Sequence, residues 1–316
     1  MYPSYLTKYH DGSLARISHQ LVSRLGSCDL CPRKCRVNRL KGESGYCGTG
    51  RNARVYKHMR HNGEEPVISG QRGSGTVFFA GCSLKCVYCQ NYKFSWLGEG
   101  EEVSGDKLSG IFMAVQGMGC HNLNLVTPTH ILPQIIEALL TAVEKGFNLP
   151  LVYNSSGYDS VDVLRLIEGI VDIYLPDMRY GDESSADALS AAPDYVEVNK
   201  DVIKEMYRQS GPLSVEGGIA AKGVLIRHMV LPGGRSATDR IFKFISEEVS
   251  KDIHISLMRQ FSPVFKAREH PGINRRITDA EYDRAVSLMS GYGLKNGWFQ
   301  DDLTGEETAA YIGENL

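Results

Sequence analysis

Three cysteines stand together in Gly81-Cys82-Ser83-Leu84-Lys85-Cys86-Val87-Tyr88-Cys89, directly after the apolar run Thr76-Val77-Phe78-Phe79-Ala80. Thiolates hold iron–sulfur clusters, and a cluster held wholly by protein takes four of them. Three leave one corner of a four-iron cluster open, and an open position is what a catalytic metal site keeps for a small molecule. The alternatives are a structural zinc loop or plain buried cysteines. Zinc sites more often pair two C-x2-C knuckles, and the next cysteine after this loop is Cys120. Buried cysteines without a ligand have no reason to follow a strand end at this spacing. Cys82, Cys86 and Cys89 are therefore read as ligands of a [4Fe-4S] cluster.

A second group is Cys28-Asp29-Leu30-Cys31-Pro32-Arg33-Lys34-Cys35, followed by Cys47. Its surroundings are Gly, Pro and charged residues with little apolar content, so a metal crosslink would have to supply the folding energy that burial cannot. Sulfur-only ligands suit zinc and an iron–sulfur cluster about equally. The spacing matches neither paired zinc knuckles nor a ferredoxin run. Both a metal-stapled structural module and an auxiliary cluster that relays electrons or holds substrate remain open. Cys120 has no partner in sequence and is expected in the core.

The chain has 316 residues, 42% hydrophobic and 23% charged, with a formal net charge of -2. This is an ordinary globular composition with no electrostatic footprint for nucleic acid. The N-terminus lacks the apolar core of a signal peptide, and no stretch approaches the roughly 18 apolar residues that span a bilayer. A cytoplasmic protein with no membrane partner is expected, and in a reducing compartment clustered cysteines point to metal.

The elements that must position these residues follow from periodicity. Residues 51 to 75 read as irregular, punctuated by Gly63, Pro66, Gly70, Gly73 and Gly75. From Thr76 onward, short apolar runs alternate with helical patterns, as in βαβ units with a parallel sheet. Strands are expected at about Thr76–Ala80, Leu123–Thr127, Leu151–Asn154, Val171–Leu175, Val224–Leu231 and His254–Arg259. Helices are expected at Ser104–Met118, Pro133–Lys145, Ser160–Glu168, Tyr195–Gln209 and Thr238–Ser250. Thr278 and Glu281 form a capping-box pattern that opens a last helix through Met289. The expected division is a Cys-rich N-terminal extension over 1–72 and an α/β domain over 73–316. Six βα units are too few for a closed eight-stranded barrel, so the sheet should curl and stay open. In parallel α/β folds the site lies at the carboxyl ends of the strands.

The C-x3-C-x2-C loop with Tyr88 at its aromatic position resembles the signature of the radical S-adenosylmethionine (SAM) superfamily, specifically proteins related to the pyruvate formate-lyase activating enzyme. Gly73 to Phe79 through Cys89-Gln90-Asn91, Asn122 to His130, Tyr174 to Tyr180 and Ile226 to Gly233 are similar to the PflX-like branch. The resemblance covers about residues 28 to 300 and implies a partial (β/α)6 barrel. It implies that SAM chelates the open iron, that one electron cleaves it to a 5′-deoxyadenosyl radical, and that this radical abstracts hydrogen from a substrate. Activation of a glycyl-radical enzyme is the nearest analogy; modification of another protein, peptide or small molecule, or a non-catalytic electron-transfer role, are the alternatives. A flavodoxin- or ferredoxin-type electron donor and a protein substrate are the implied partners.

Carried to the strand ends, the resemblance makes Tyr88, Thr127, Thr129, His130, Asn154, Ser156, Asp177, Arg179 and His228 candidate SAM-binding residues. Thr127-Pro128-Thr129-His130 stands where activating enzymes have Gly-Gly-Glu-Pro, so these residues either contact the SAM amino group or only shape the turn. Asp177-Met178-Arg179 stands where they have Asp-x-Lys; Arg keeps the charge but not the geometry. Strand alternation puts Arg227 and His228 on opposite faces, so one of the two points inward. Glu64 and Glu65 are read as a surface acidic pair in preference to a pair lining the mouth of the site.

Overall fold

The structure, a computed structural model, describes residues 2–300. Ten strands form one central sheet: β1 (Ala53–His61), β2 (Ser74–Phe79), β3 (Glu101–Val103), β4 (Leu123–Val126), β5 (Leu151–Ser155), β6 (Ile173–Pro176), β7 (Ser214–Glu216), β8 (Ile219–Met229), β9 (His254–Met258) and β10 (Gly297–Phe299). Their order is β10-β9-β8-β6-β5-β4-β2-β1-β3, with β7 attached to β8. From β2 through β10 along this path every pairing is parallel. The six expected strands are β2, β4, β5, β6, β8 and β9, in chain order across the sheet.

Each strand of this run turns alternate side chains to two different layers, as a pleat requires. Val77, Phe79, Leu123, Leu125, Leu151, Tyr153, Val224, Ile226, Ile255 and Leu257 join the large core with the helices. Leu132–Glu144 supplies Ile135, Ile136 and Leu139 to that core, and Gly105–Gly117 supplies Phe112 and Val115. Side chains of this size stabilise by about 1.5–3 kcal/mol each when fully buried. Ser104 caps Gly105–Gly117 through Lys107 N, and Thr278 with Glu281 forms the expected capping box on Asp279–Gly291. The helix begun at Thr238 ends at Phe244 and continues as a wider π turn over Ile245–Val249, shorter than the pattern suggested.

Residues 51 to 75 are not irregular throughout. β1 pairs antiparallel with β2 from Val55↔Phe79 to His61↔Ser74 and carries β3 on its other edge. Its half-exposed Lys57 and His58 and its exposed Arg60 hide the alternation that marks a strand. The β1–β2 connection includes the short helix Pro66–Ser69, whose Val67 and Ile68 pack with Val152, Ile173, Leu175 and Leu225. These last four share the strand face opposite the large core. The connection thus fills the space at the amino ends of the parallel strands.

The N-terminal helices Ser4–His10 and Ser13–Ser23 pack on the same core through Tyr5, Leu14 and Leu21. Asp172 ties them down by accepting from Ser4 N and Leu151 N, both at 2.8 Å. None of the described helices is long and apolar enough to cross a membrane.

Candidate functional site

The carboxyl ends of the parallel strands surround a cavity of about 380 Å³. It is lined by Phe78, Tyr88, Cys89, Val126, Thr127, Asn154, Ser156, Asp177, Arg179, Met229 and Met258, with Met59, His61, Glu64 and Arg227 deeper in. Six strands and the turn after β6 contribute, and the volume lies in the lower range for small-molecule sites.

β2 ends at Phe79, and the cysteine loop begins two residues later. Gly81 takes φ +85, and a Cβ there would lie 2.5 Å from the carbonyl oxygen of Cys47 and 2.9 Å from Thr49 Oγ1. Only glycine allows this approach, so the second cysteine group touches the first through backbone. Arg33 strengthens the contact: its Nε donates to Ser83 O at 2.9 Å, and its guanidinium lies 4.1 Å from the Tyr46 ring centroid.

The sulfurs of the loop sit among donors. Leu84 N donates to Cys82 Sγ at 3.3 Å and Ser190 Oγ to Cys86 Sγ at 3.0 Å, while Cys89 Sγ and Ser95 Oγ are 3.1 Å apart. Because Ser190 spends its proton on sulfur, Tyr180 OH must donate to Ser190 and Tyr88 OH to Tyr180, each at 2.6 Å. Tyr88 is thereby fixed at the cavity wall at the end of a hydroxyl chain that terminates on Cys86. Burial pushes the free thiols of Cys82 and Cys89 up to about 12 and about 11, reinforced by neighbouring Cys86. A metal reverses that tendency by replacing the proton. Among the described residues, no three His, Cys, Asp or Glu side chains converge at metal-ligand spacing. The loop cysteines are close neighbours with donors aimed at sulfur, and that donor set suits thiolates.

Thr127 follows β4 with φ +58, a conformation that a β-branched residue rarely takes. Its backbone is held there by N–H donation to Asn154 O at 2.8 Å. Asn154 and Ser156 follow at the end of β5, and Asp177 and Arg179 at the end of β6, where the carboxylate of Asp177 accepts from Arg179. Two buried polar atoms on the wall, Ser156 Oγ and Arg179 Nε, meet no hydrogen-bond partner among the described residues. Such atoms are costly unless something meets them, and a hydroxyl beside a guanidinium suits a carboxylate-bearing ligand.

Three expected ligands lie elsewhere. Thr129 Oγ1 donates to Asp159 at 2.6 Å, behind the wall. His130 ring Nε2 meets Ala80 O at 2.8 Å. His228 faces the helices: Nδ1 meets Met178 O at 2.7 Å and Nε2 meets Thr238 Oγ1 at 2.9 Å. All three are buried and outside the cavity lining, and their hydrogen bonds brace the ends of β2, β4 and β8. Asp159 explains Thr129, since it also accepts from Tyr153 OH and Ser155 Oγ and braces the Asn154-Ser155-Ser156 turn.

Glu64 and Glu65 are not a surface pair. Their side chains are 5% and 6% exposed, and both bind Arg227, the inward-facing member of the Arg227–His228 pair. Arg227 Nε donates to Glu65 Oε1 at 2.8 Å, and Asn124 Nδ2 donates to Glu64 Oε1 at 2.8 Å. Burial alone would raise the Glu65 carboxyl, but the Arg227 guanidinium and Ser256 hold it below the usual range. Periodicity could not reveal this group, because the carboxylates arrive on a loop.

Around the second cysteine group the backbone folds back on itself, with Cys28 N donating to Val37 O and Arg36 N to Cys28 O, both at 2.9 Å. Cys28 and Cys31 are buried, Cys35 and Cys47 half-buried. Burial pushes the Cys31 thiol up to about 12, with Cys47, Cys28 and Cys35 adding to it, which places the four in one electrostatic neighbourhood. Buried Arg39 donates to His130 O at 2.7 Å and reaches Cys28 Sγ at 3.8 Å.

The fold belongs to a known class. A radical SAM methyltransferase from Sphaerobacter thermophilus matches with a TM-score of 0.50 and 14% identity, over 71% of this chain and 65% of that one. HydG, a maturase of the [FeFe]-hydrogenase, matches with a TM-score of 0.48 and 11% identity, over 73% of this chain and 52% of that one. The chain therefore spans less than two thirds of either structure, and the first likeness is one of fold. In sequence, the uncharacterised protein MJ0674 of Methanocaldococcus jannaschii is 31% identical over 277 residues, 85% of this chain and 75% of the relative. The chain belongs to the family of that protein. No protein-family model matches it.

Proposed function

We propose that the chain is a radical SAM enzyme whose cluster is held by Cys82, Cys86 and Cys89 and whose SAM lies in the cavity beside them. The observation that carries this is the meeting of the three-cysteine loop with Tyr88, Thr127, Asn154, Ser156, Asp177 and Arg179 around one cavity. When bound, a [4Fe-4S] cluster and SAM supply one-electron cleavage of the sulfonium and hydrogen abstraction from substrate. The chain's residues do the holding. Ser190, Ser95 and Leu84 N direct hydrogen bonds at the sulfurs, which lowers their electron density. Arg179 and Ser156 offer free donors to a carboxylate, with Asp177 fixing the guanidinium. The same reading takes the six parallel strands as a partial (β/α)6 barrel, supported by a cavity lined from β2 round to β9.

A metal at Cys28, Cys31, Cys35 and Cys47, zinc or a second cluster, completes it. The buried Arg39 guanidinium near Cys28 is a counter-charge that thiolates would use and neutral thiols would not. A flavodoxin- or ferredoxin-type donor would supply the electron. Activation of a glycyl-radical enzyme is the form of the reaction closest to the sequence resemblance, tested by adding such a partner and looking for a radical on it.

The primary test is anaerobic reconstitution with iron and sulfide, then reduction with SAM present. A SAM-dependent change in the cluster's paramagnetic resonance and release of 5′-deoxyadenosine are expected; absence of both overturns the reading. Cys82→Ser, Cys86→Ser and Cys89→Ser together should remove both signals while metal at the other cysteines persists.

A further inference from the structure

The inner face of the sheet changes character with depth. Near the strand ends it presents Phe78, Val126, Met229 and Met258. Two residues earlier on the same strands stand Thr76, Asn124, Arg227 and Ser256, into which the β1–β2 connection inserts Glu64 and Glu65. Below that the space is apolar, filled by Val67, Ile68, Val152 and Leu225. A polar layer therefore lies between two apolar ones, and it is the floor of the cavity: Glu64 and Arg227 line it directly.

A layer that only had to seal the cavity would be apolar, because buried charges lose more by desolvation than they regain. Its composition is also uneven. Among the described residues, two carboxylates meet one guanidinium there, and Asp177 and Arg179 on the wall pair with each other. His61 also lines the cavity, and the floor holds one more carboxylate than guanidinium. Asn124 adds a second signal. Its Nδ2 is committed to the Glu64 carboxylate, which fixes the amide's orientation, and its buried Oδ1 meets no donor among the described residues. Asn124 shares its strand face with Val126, which lines the cavity. A surplus carboxylate charge beside an unmet carbonyl acceptor asks for a cation that carries N–H donors.

We propose that this floor is the substrate subsite and that it receives a primary ammonium or guanidinium group, held by Glu64 with Asn124 Oδ1. It deepens the radical SAM reading by naming the class of substrate: a molecule or side chain with a basic nitrogen terminus, whose body lies along Phe78, Met59 and the methionines toward the cysteine loop. Arg227 then acts as a positioning residue, aiming both carboxylates.

The test uses the full chain without added SAM, so that it stands apart from the radical chemistry. Titrations of n-pentylammonium, n-pentylguanidinium and pentanoate are followed by ligand-observed saturation-transfer NMR. One of the cations should bind at least about tenfold more tightly than pentanoate, and Glu64→Gln, which keeps the shape and the Asn124 contact, should remove that preference. Equal binding of cations and pentanoate, no binding of the cations at millimolar concentration, or a preference unchanged in Glu64→Gln would each overturn the subsite. Should Glu64→Gln lose its fold, Met59→Arg, which places a tethered guanidinium on the lining, should compete the cations away; unchanged cation affinity overturns the proposal. Cation binding without 5′-deoxyadenosine formation would leave the subsite standing and remove the radical reading; the reverse result removes the subsite alone.

Discussion

At His228 the ring's proton is fixed by its neighbours: a carbonyl only accepts, so Nδ1–H donates to Met178 O and Nε2 accepts from Thr238 Oγ1. Burial favours the neutral ring and lowers its proton affinity to about 4, with the Met178 carbonyl opposing this. The unfolded chain therefore binds more protons between about pH 6.5 and pH 4, and stability falls as pH drops through that window. Urea unfolding across it should show the loss, and His228→Gln should flatten the slope, since the amide keeps two polar atoms but does not titrate. Thr127 tells a different story, because its φ of +58 is held by the Asn154 carbonyl rather than chosen by its side chain. Thr127→Asn should gain about 1 kcal/mol in urea unfolding, since asparagine tolerates this conformation. Sequence alternation separated Arg227 from His228 but could not say which faced inward. That depended on Glu64 and Glu65, whose place was set by a loop.

At the scale of elements, the β1–β2 connection and the cysteine loop approach the site from opposite ends of the same strands. The connection is held by Arg227, whose side chain is 12% exposed. Arg227→Met strands two buried carboxylates and should cost about 3–5 kcal/mol in thermal or urea unfolding. The loop is held at Gly81, where Gly81→Ala would force both a rare φ and a clash with Cys47 O. A loss of about 1–3 kcal/mol is expected, together with lower iron content after reconstitution. The parallel strands were legible because each is a short apolar run between helical patterns. β1 was not, since an antiparallel strand with a half-exposed face and charged residues on it carries no such run. β3, β7 and β10 are three residues each, too short for any period to register.

For the whole molecule, the cysteine spacing points to the end of the sheet where the cavity opens, because the strand preceding the loop and the polar turns after β4, β5 and β6 all belong to that end. Depth was not legible, since nothing in the spacing of Glu64 and Glu65 says how far a connection reaches inside. The N-terminal helices, the second cysteine group and the central sheet pack as neighbours, with Arg33, Arg39 and Cys47 O meeting the loop or the turn after β4. Disturbing Cys28 or Cys31 should therefore lower cluster incorporation at Cys82, Cys86 and Cys89, measured as iron and sulfide per chain. The β1–β2 connection is seated at the opposite end of the strands from the cysteine loop, through Arg227, Asn122 and the apolar contacts of Val67 and Ile68. It divides the labour of the cavity: this segment shapes the bottom, while the cysteine loop stands at the top. Relatives could diverge in substrate by changing Glu64, which faces the cavity, while Glu65, Val67 and Ile68 keep the segment seated.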